Sequence, residues 1–382
     1  VMMSIQARIE ALVDESVARD EAPGIAAGVL MRGERYVAAA GSLGTDGRPV
    51  GRDSLFRISS MTKPITAAAV LALVEENTLA LDEPIDRLLP ELADRQVLRE
   101  PSGSITDTVP ATRAITTRDL LTFTWGFGQQ GALFGGAPWP IVNAAAERNL
   151  ETFGPPNPAA MPDADTWIAR LGELPLMTQP GERWLYHSGF QVLGVLAARA
   201  VGATLLDVLR ERVLDPLGMS DTAFHTTDTN RLATSYLRHD GELQVYDAAD
   251  GQWSVPPQFQ DGGAGLVSSI DDMLTFGSAL LHGGAPILST RTVADMTRNH
   301  LTDEQRTRVW PGFDILDGAG WGFGVAAYAD GSYGWDGGLG TRWISFPDID
   351  ATVVVLSQRG FDETGYAGAG VIDLVRSWRS SR

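Results

Sequence analysis

Apolar residues fall three and four apart over residues 4–20, so that Ile5, Ile9, Leu12, Val13 and Val17 share one face of a predicted helix ended by Pro23-Gly24. Two short apolar runs follow, Ile25 to Met31 and Tyr36 to Ala40, around a turn at Arg32-Gly33-Glu34. Their spacing predicts an antiparallel hairpin. Leu55 to Ile58 reads as a third extended piece. A helix follows from about Ser60 to Glu76, with Pro64 in its first turn, where a missing N–H is tolerated. Helical patterns resume at Thr116–Leu121, Trp167–Leu171, Gln191–Val201 and Leu205–Val213.

After residue 220 the pattern changes. A Gly-rich turn at 262–269 leads into a helix from Ile270 to about Leu281. Three strands are expected at Trp321–Tyr328, Arg342–Pro347 and Ala351–Gln358, with a closing helix over Gly368–Trp378. Strands at both ends and helices between them predict a mixed α/β (α+β) fold, an antiparallel sheet flanked by the N- and C-terminal helices. Residues 1–79 and 221–382 form its α/β domain, and residues 80–220 an inserted helical domain. Within the insert, residues 126–163 are rich in Gly, Pro and aromatics. So long a connection reads as a packed lid, with the site in the cleft between the domains. Trp125 and Phe127 at its head are assigned to the substrate.

Composition narrows the function. The chain has 382 residues, 44% of them hydrophobic, and a net charge of -18 without charged blocks, which speaks against nucleic acid and anionic membranes as partners. No apolar run is long enough for a membrane span. The N-terminal stretch lacks the apolar core of a signal peptide, so a cytoplasmic location is expected. With no cysteine there is no thiolate nucleophile, and the five histidines show no metal spacing, so neither metal nor cofactor is expected.

The 30 basic residues hold one further signal: 29 are Arg, and the single Lys is Lys63, three residues after Ser60 at the head of an apolar helix. That spacing puts both side chains on one face. Arg keeps its proton in proteins, whereas a buried Lys can lose it and act as a base. Ser60 and Lys63 therefore read as a nucleophile and its base. Two more patterns join them. Tyr186-His187-Ser188 contains the one tyrosine of seven followed at the second position by Ser or Asn. Trp335-Asp336-Gly337-Gly338 has the glycines needed where backbone must approach a substrate. A Ser–His–Asp reading through His187 is set aside, because no Gly-x-Ser-x-Gly elbow exists and Lys63 already supplies a base.

Taken together these residues resemble the serine β-lactamase (class C) and penicillin-binding-protein superfamily, and within it the family-VIII carboxylesterases. The resemblance extends through Leu120-Leu121-Thr122, Pro180-Gly181-Glu182, Pro216-Leu217-Gly218-Met219 and Gly265-Leu266-Val267-Ser268-Ser269, in matching order. It implies that Ser60 forms an acyl-enzyme, with neutral Lys63 or a Tyr186 phenolate as base. The N–H groups of Ser60 and Gly338 would form the oxyanion hole. Tyr186 would return the proton to the leaving alkoxide. Ser188 would bond Lys63 or the substrate, and Trp335 and Gly337 would border the substrate.

The pattern departs from the lactamases at Trp335, where they carry a Lys that holds the substrate carboxylate. This chain has no second Lys, and Arg342 and Arg359 are the remaining cations that could take its place. A neutral ester suits an apolar pocket. The expected activity is therefore a carboxylesterase acting on short- to medium-chain esters, a small-molecule substrate. The alternatives on the same fold are a β-lactamase or D-amino peptidase, an amidase, an acyltransferase, and a non-catalytic ligand sensor.

Overall fold

The computed structural model of the protein describes residues 2–307 and 310–380. Its main sheet has seven antiparallel strands: β1 (Gly24–Met31), β2 (Glu34–Gly41), β3 (Gly320–Trp321), β4 (Ala326–Ala327), β5 (Tyr333–Gly337), β6 (Thr341–Phe346) and β7 (Ala351–Ser357). They lie in the order β2-β1-β7-β6-β5-β4-β3. The first and last strands of the chain's two halves thus pair directly, Ile25 opposite Ser357 and Met31 opposite Ala351.

The central strands are covered on both faces, and alternation decides which side chain meets which layer. Ile25, Ala27, Val29, Val353 and Val355 pack with Ile9 and Val13 of α1 (Ile5–Ala18) and with Val371, Ile372 and Val375 of the closing helix Ala369–Ser377. Ala26, Val354 and Leu356 face the opposite way, toward Ile270, Met273 and Leu274 of the helix Ile270–Leu281. Gly28 and Gly277 let that helix sit close, since a Cβ on Gly28 would come within 2.6 Å of Leu274.

The helix that carries the predicted chemistry, α2 (Thr62–Glu75), is apolar all round and buried on every side over Thr62–Leu73. It packs against α3 (Ser188–Val201), whose residues Ser188–Ala197 are all buried. A short 3₁₀ turn, Ser59–Met61, leads into α2. No single helix among the described residues is long and apolar enough to cross a membrane.

One sequence expectation needs correction, and two elements went unplaced. Trp321–Tyr328 is a tight hairpin of two-residue strands, because Gly322 N–H bonds Val325 O and Gly324 adopts a φ of 78°. Trp335 and Asp336, to which the sequence pattern assigned no element, lie inside β5, whose glycines hide its strand character. Ser235–His239 and Glu242–Asp247 form a separate hairpin that their mixed polarity did not announce. The stretch 126–163 holds a helix at Pro140–Glu147. Its start is fastened by a two-way backbone bridge between Gln129 and Tyr186.

Candidate active site

Ser60 sits in the 3₁₀ turn between the short strand Phe56–Arg57 and α2, half-exposed, one residue after Ser59, whose φ of 46° is rare for a side-chain-bearing residue. Such strain clusters at sites the surrounding structure must fix. Here the fixing contacts come from the β5–β6 turn. Leu339 N–H donates to Ser59 Oγ at 3.2 Å, and Thr341 Oγ1 donates to Ile58 O at 3.1 Å. Gly337 approaches so near that a Cβ there would lie 2.3 Å from Ile58 O. The hydrogen-bonded ladder ends at the Gly337–Thr341 pair, so the Gly338 N–H takes no part in it. Gly338 is exposed, beside the Ser59–Ser60 turn.

Lys63 is 0% exposed. Its Nζ meets three acceptors: Ser60 Oγ at 2.9 Å, His187 Nδ1 at 3.0 Å and Gly263 O at 2.7 Å. An ammonium donates one proton to each. A neutral amine keeps two donors for Gly263 O and His187 Nδ1, which leaves its lone pair on the Ser60 side. Burial pushes the Lys63 pKa down to about 7, against the pull of the Asp261 carboxylate, which favours the charged form. Asp261 is itself buried, held by Gly263 N–H at 2.8 Å and Gln191 Nε2 at 3.2 Å, and burial pushes its pKa up.

Tyr186 lies on the other side of Ser60. Its hydroxyl accepts from Trp335 Nε1 at 2.8 Å and shares a hydrogen bond with Ser60, and its ring centroid lies 4.5 Å from Lys63 Nζ. Burial raises the Tyr186 pKa well above its ordinary value, although the bonds to Ser60 and Trp335 pull it back. Of the two base candidates, Lys63 is therefore the one that loses its proton near neutrality. Tyr186 stays a phenol. Around it Phe123, Trp184, Trp321 and Trp335 pack at centroid distances of 5.4 to 6.3 Å, a dry aromatic wall.

The structure brings Ser60, Lys63, Tyr186, Trp335, Gly337 and Gly338 together, and moves three assigned residues elsewhere. Ser188 does not reach Lys63. Its Oγ donates to Phe127 O at 2.6 Å, and it is 0% exposed, so it offers nothing to a substrate. The reason is the φ of 91° at His187, which swings that imidazole toward Lys63 and turns Ser188 into the first turn of α3. Trp125 and Phe127 are also 0% exposed and pack on each other and on Phe153. They support the loop from behind and cannot touch a ligand. Gly337 acts through its missing Cβ against Ile58. Of the two arginines considered for a carboxylate, Arg359 is 2% exposed and tied to Glu21 O, Gly365 O and Asp362. Arg342 is paired with Asp336 and lies over the Tyr366 ring. His187, Asp261 and Gly263 were missed. The run Gln260-Asp261-Gly262-Gly263, an acid beside two glycines, was the available signal for the last two.

Half-exposed Ser60 at the head of a helix, with buried Lys63 and Tyr186 beside it and the exposed Gly338 of the β5–β6 turn opposite, forms an arrangement suited to nucleophilic attack by a serine. The beta-lactamase family profile matches residues 9–375, and the chain belongs to that family of β-lactamase-fold hydrolases. It is 36% identical to protein Rv1367c of Mycobacterium tuberculosis over 344 residues, covering 85% of this chain and 82% of the relative. It is 30% identical to esterase EstB of Burkholderia gladioli over 403 residues, covering 97% and 94%. Among solved structures it is similar to EstCE1, described as a hydrolase with promiscuous acyltransferase activity, with a TM-score of 0.77, 25% identity and 95% coverage of both chains.

Proposed function

We propose that the protein is a carboxylesterase that works through an acyl-enzyme on Ser60. One observation carries this reading: the chain's one lysine is buried with its lone pair confined to the Ser60 side by two fixed acceptors. Neutral Lys63 takes the Ser60 proton as Oγ bonds the carbonyl carbon, and the carbonyl oxygen becomes an oxyanion at the N–H groups of Ser60 and Gly338. The C–O bond to the alcohol then breaks. Tyr186 gives its proton to the leaving oxygen and is reprotonated from the Lys63 ammonium, so the base returns to its neutral state. Water repeats the sequence in reverse order and frees the acid.

Among the described residues no free cation stands where a β-lactam carboxylate would dock, since Trp335 replaces a lysine and both arginines considered for that role are engaged. This favours neutral esters. The names of two relatives, an esterase and a hydrolase with acyltransferase activity, support ester chemistry with some transfer to alcohols. The deciding experiment is a fluorophosphonate label read by peptide mass spectrometry, run beside 4-nitrophenyl acetate and nitrocefin. An adduct on Ser60 with ester turnover above nitrocefin turnover is expected. Nitrocefin turnover in excess, or a label elsewhere, refutes the reading.

A further inference from the structure

Four half-exposed rings form an unbroken row at the mouth of the site. Phe134 and Phe313 stack at 4.8 Å, Phe313 meets Phe361 at 5.8 Å, and Phe361 meets Tyr366 at 5.1 Å. Phe313 is 47% exposed, high for so large an apolar side chain, and the other three keep part of their surface in water. The row is fastened to the site through its two middle rings. Phe361 N–H donates to Gly338 O at 2.9 Å. Gly131 N–H donates to Phe313 O at 3.2 Å, two residues from the Gln129–Tyr186 bridge. The rings come from three distant segments of the chain, the 126–163 stretch, the 310–316 loop and the 359–366 loop.

Resting on the esterase reading, we infer that this row is the subsite for an uncharged aromatic acyl group. The leaving oxygen takes its proton from Tyr186 and so lies on the Tyr186 side of the tetrahedral carbon, with the oxyanion at Gly338. The row joins the site at Gly338 through Phe361 and flanks the remaining substituent, the acyl chain. Aromatic rings attract another ring beyond what area alone gives. The described cations beside the row are all paired, Arg342 over Tyr366 at 5.1 Å with Asp336, and Arg359 and Arg238 with Asp362, so a carboxylate on the ring gains nothing there.

The test holds the leaving group constant: 4-nitrophenyl acetate, phenylacetate and cyclohexylacetate on the wild type, Phe313→Ala, Phe361→Ala and Phe361→Leu. Phe313→Ala changes a side chain half in water, so folding is not at stake, and Phe361→Leu keeps apolar bulk without a ring. The wild type should show a KM for phenylacetate about tenfold below acetate and about threefold below cyclohexylacetate. The alanine variants should lose that preference while acetate kinetics stay within about twofold, and Phe361→Leu should treat phenyl and cyclohexyl alike. Equal effects on all three esters, or no wild-type preference for phenyl, overturn the subsite. Calorimetric binding of phenylacetone, an unreactive ketone, is measured in parallel. If no ester turns over and Ser60 takes no label, the esterase reading fails, and weaker phenylacetone binding in the Phe variants still decides whether the rings bind an aromatic group.

Discussion

Lys63 Nζ lies 3.0 Å from Nδ1 of His187, the residue that directly follows Tyr186. A lysine ammonium cannot accept a hydrogen bond, so Nδ1 is the acceptor and the imidazole proton sits on Nε2. Burial and the Lys63 charge hold the His187 pKa well below its ordinary value, so the ring stays neutral and keeps that acceptor throughout the working pH range. The contact aims the Lys63 lone pair at Ser60.

Replacement of His187 separates aiming from bulk. Asn carries an acceptor oxygen at the distance of Nδ1 from the backbone, and Gln carries one at the distance of Nε2. His187→Asn should keep acylation within about fivefold of wild type, whereas His187→Gln and His187→Ala should lose on the order of 10²-fold in kcat, in the range typical of a misplaced general base. Pre-steady-state release of nitrophenol measures this step. Equal losses for Asn and Gln would show that His187 only fills space.

Acylation should depend on one ionisation, that of Lys63. Its pKa is lowered to about 7 by burial, and the base must be neutral, so the rate climbs tenfold per pH unit on the acid side and levels above about 7. Asp261 pulls that pKa upward, so Asp261→Asn should move the acid limb to lower pH. A limb that moves upward, or stays fixed, would disconnect Asp261 from the base. Lys63→Arg, which keeps the charge and cannot lose it, should cost at least about 10³-fold.

The pairing of Ser60 with Lys63, the candidate nucleophile and base, was legible in the sequence because of one residue count. A lone lysine among 29 arginines, three positions after a serine on an apolar helix, marks a place where guanidinium chemistry fails. Tyr186 followed from its spacing to Ser188. What the spacing hid was which neighbour of Tyr186 turns inward. That depends on a φ of 91° at His187, a torsion that residue type does not announce in a histidine. Asp261 and Gly263 reach Lys63 across some 200 positions of chain, beyond any local pattern. The outer helices and β7 were legible because their periods are unbroken. β5 was not, because Gly334 and Gly337 interrupt the alternation at the points where neighbouring backbone must come close.

In the proposed mechanism Trp335 acts through Nε1, which donates to the Tyr186 hydroxyl at 2.8 Å. That bond favours the phenolate-like charge that builds on Tyr186 as it gives up its proton, and so lowers the cost of the transfer. Trp335→Phe keeps most of the ring and deletes the donor. It should lower kcat about tenfold with KM little changed, since the bond strengthens in the transition state. A KM effect alone would reduce Trp335 to a pocket wall.

The buried lysine also leaves a signature in stability. Lys63 has a folded pKa of about 7 against an ordinary 10.5, so between those values the unfolded chain binds a proton that the folded one has released. Stability rises with pH wherever the unfolded state binds more protons. The lysine's ionisation therefore penalises folding fully below about 7, and the penalty fades as pH approaches 10.5. Lys63→Met removes the titration altogether. Whatever the two proteins' relative stability at pH 7, the wild type should gain on the variant by about 3 kcal/mol between pH 7 and about 9.5, since one proton's difference in binding is worth about 1.36 kcal/mol for each pH unit. Urea unfolding of both proteins across that range measures the difference directly. Parallel curves would mean that Lys63 keeps its proton in the folded state, and the neutral-amine mechanism at Ser60 would fall with it.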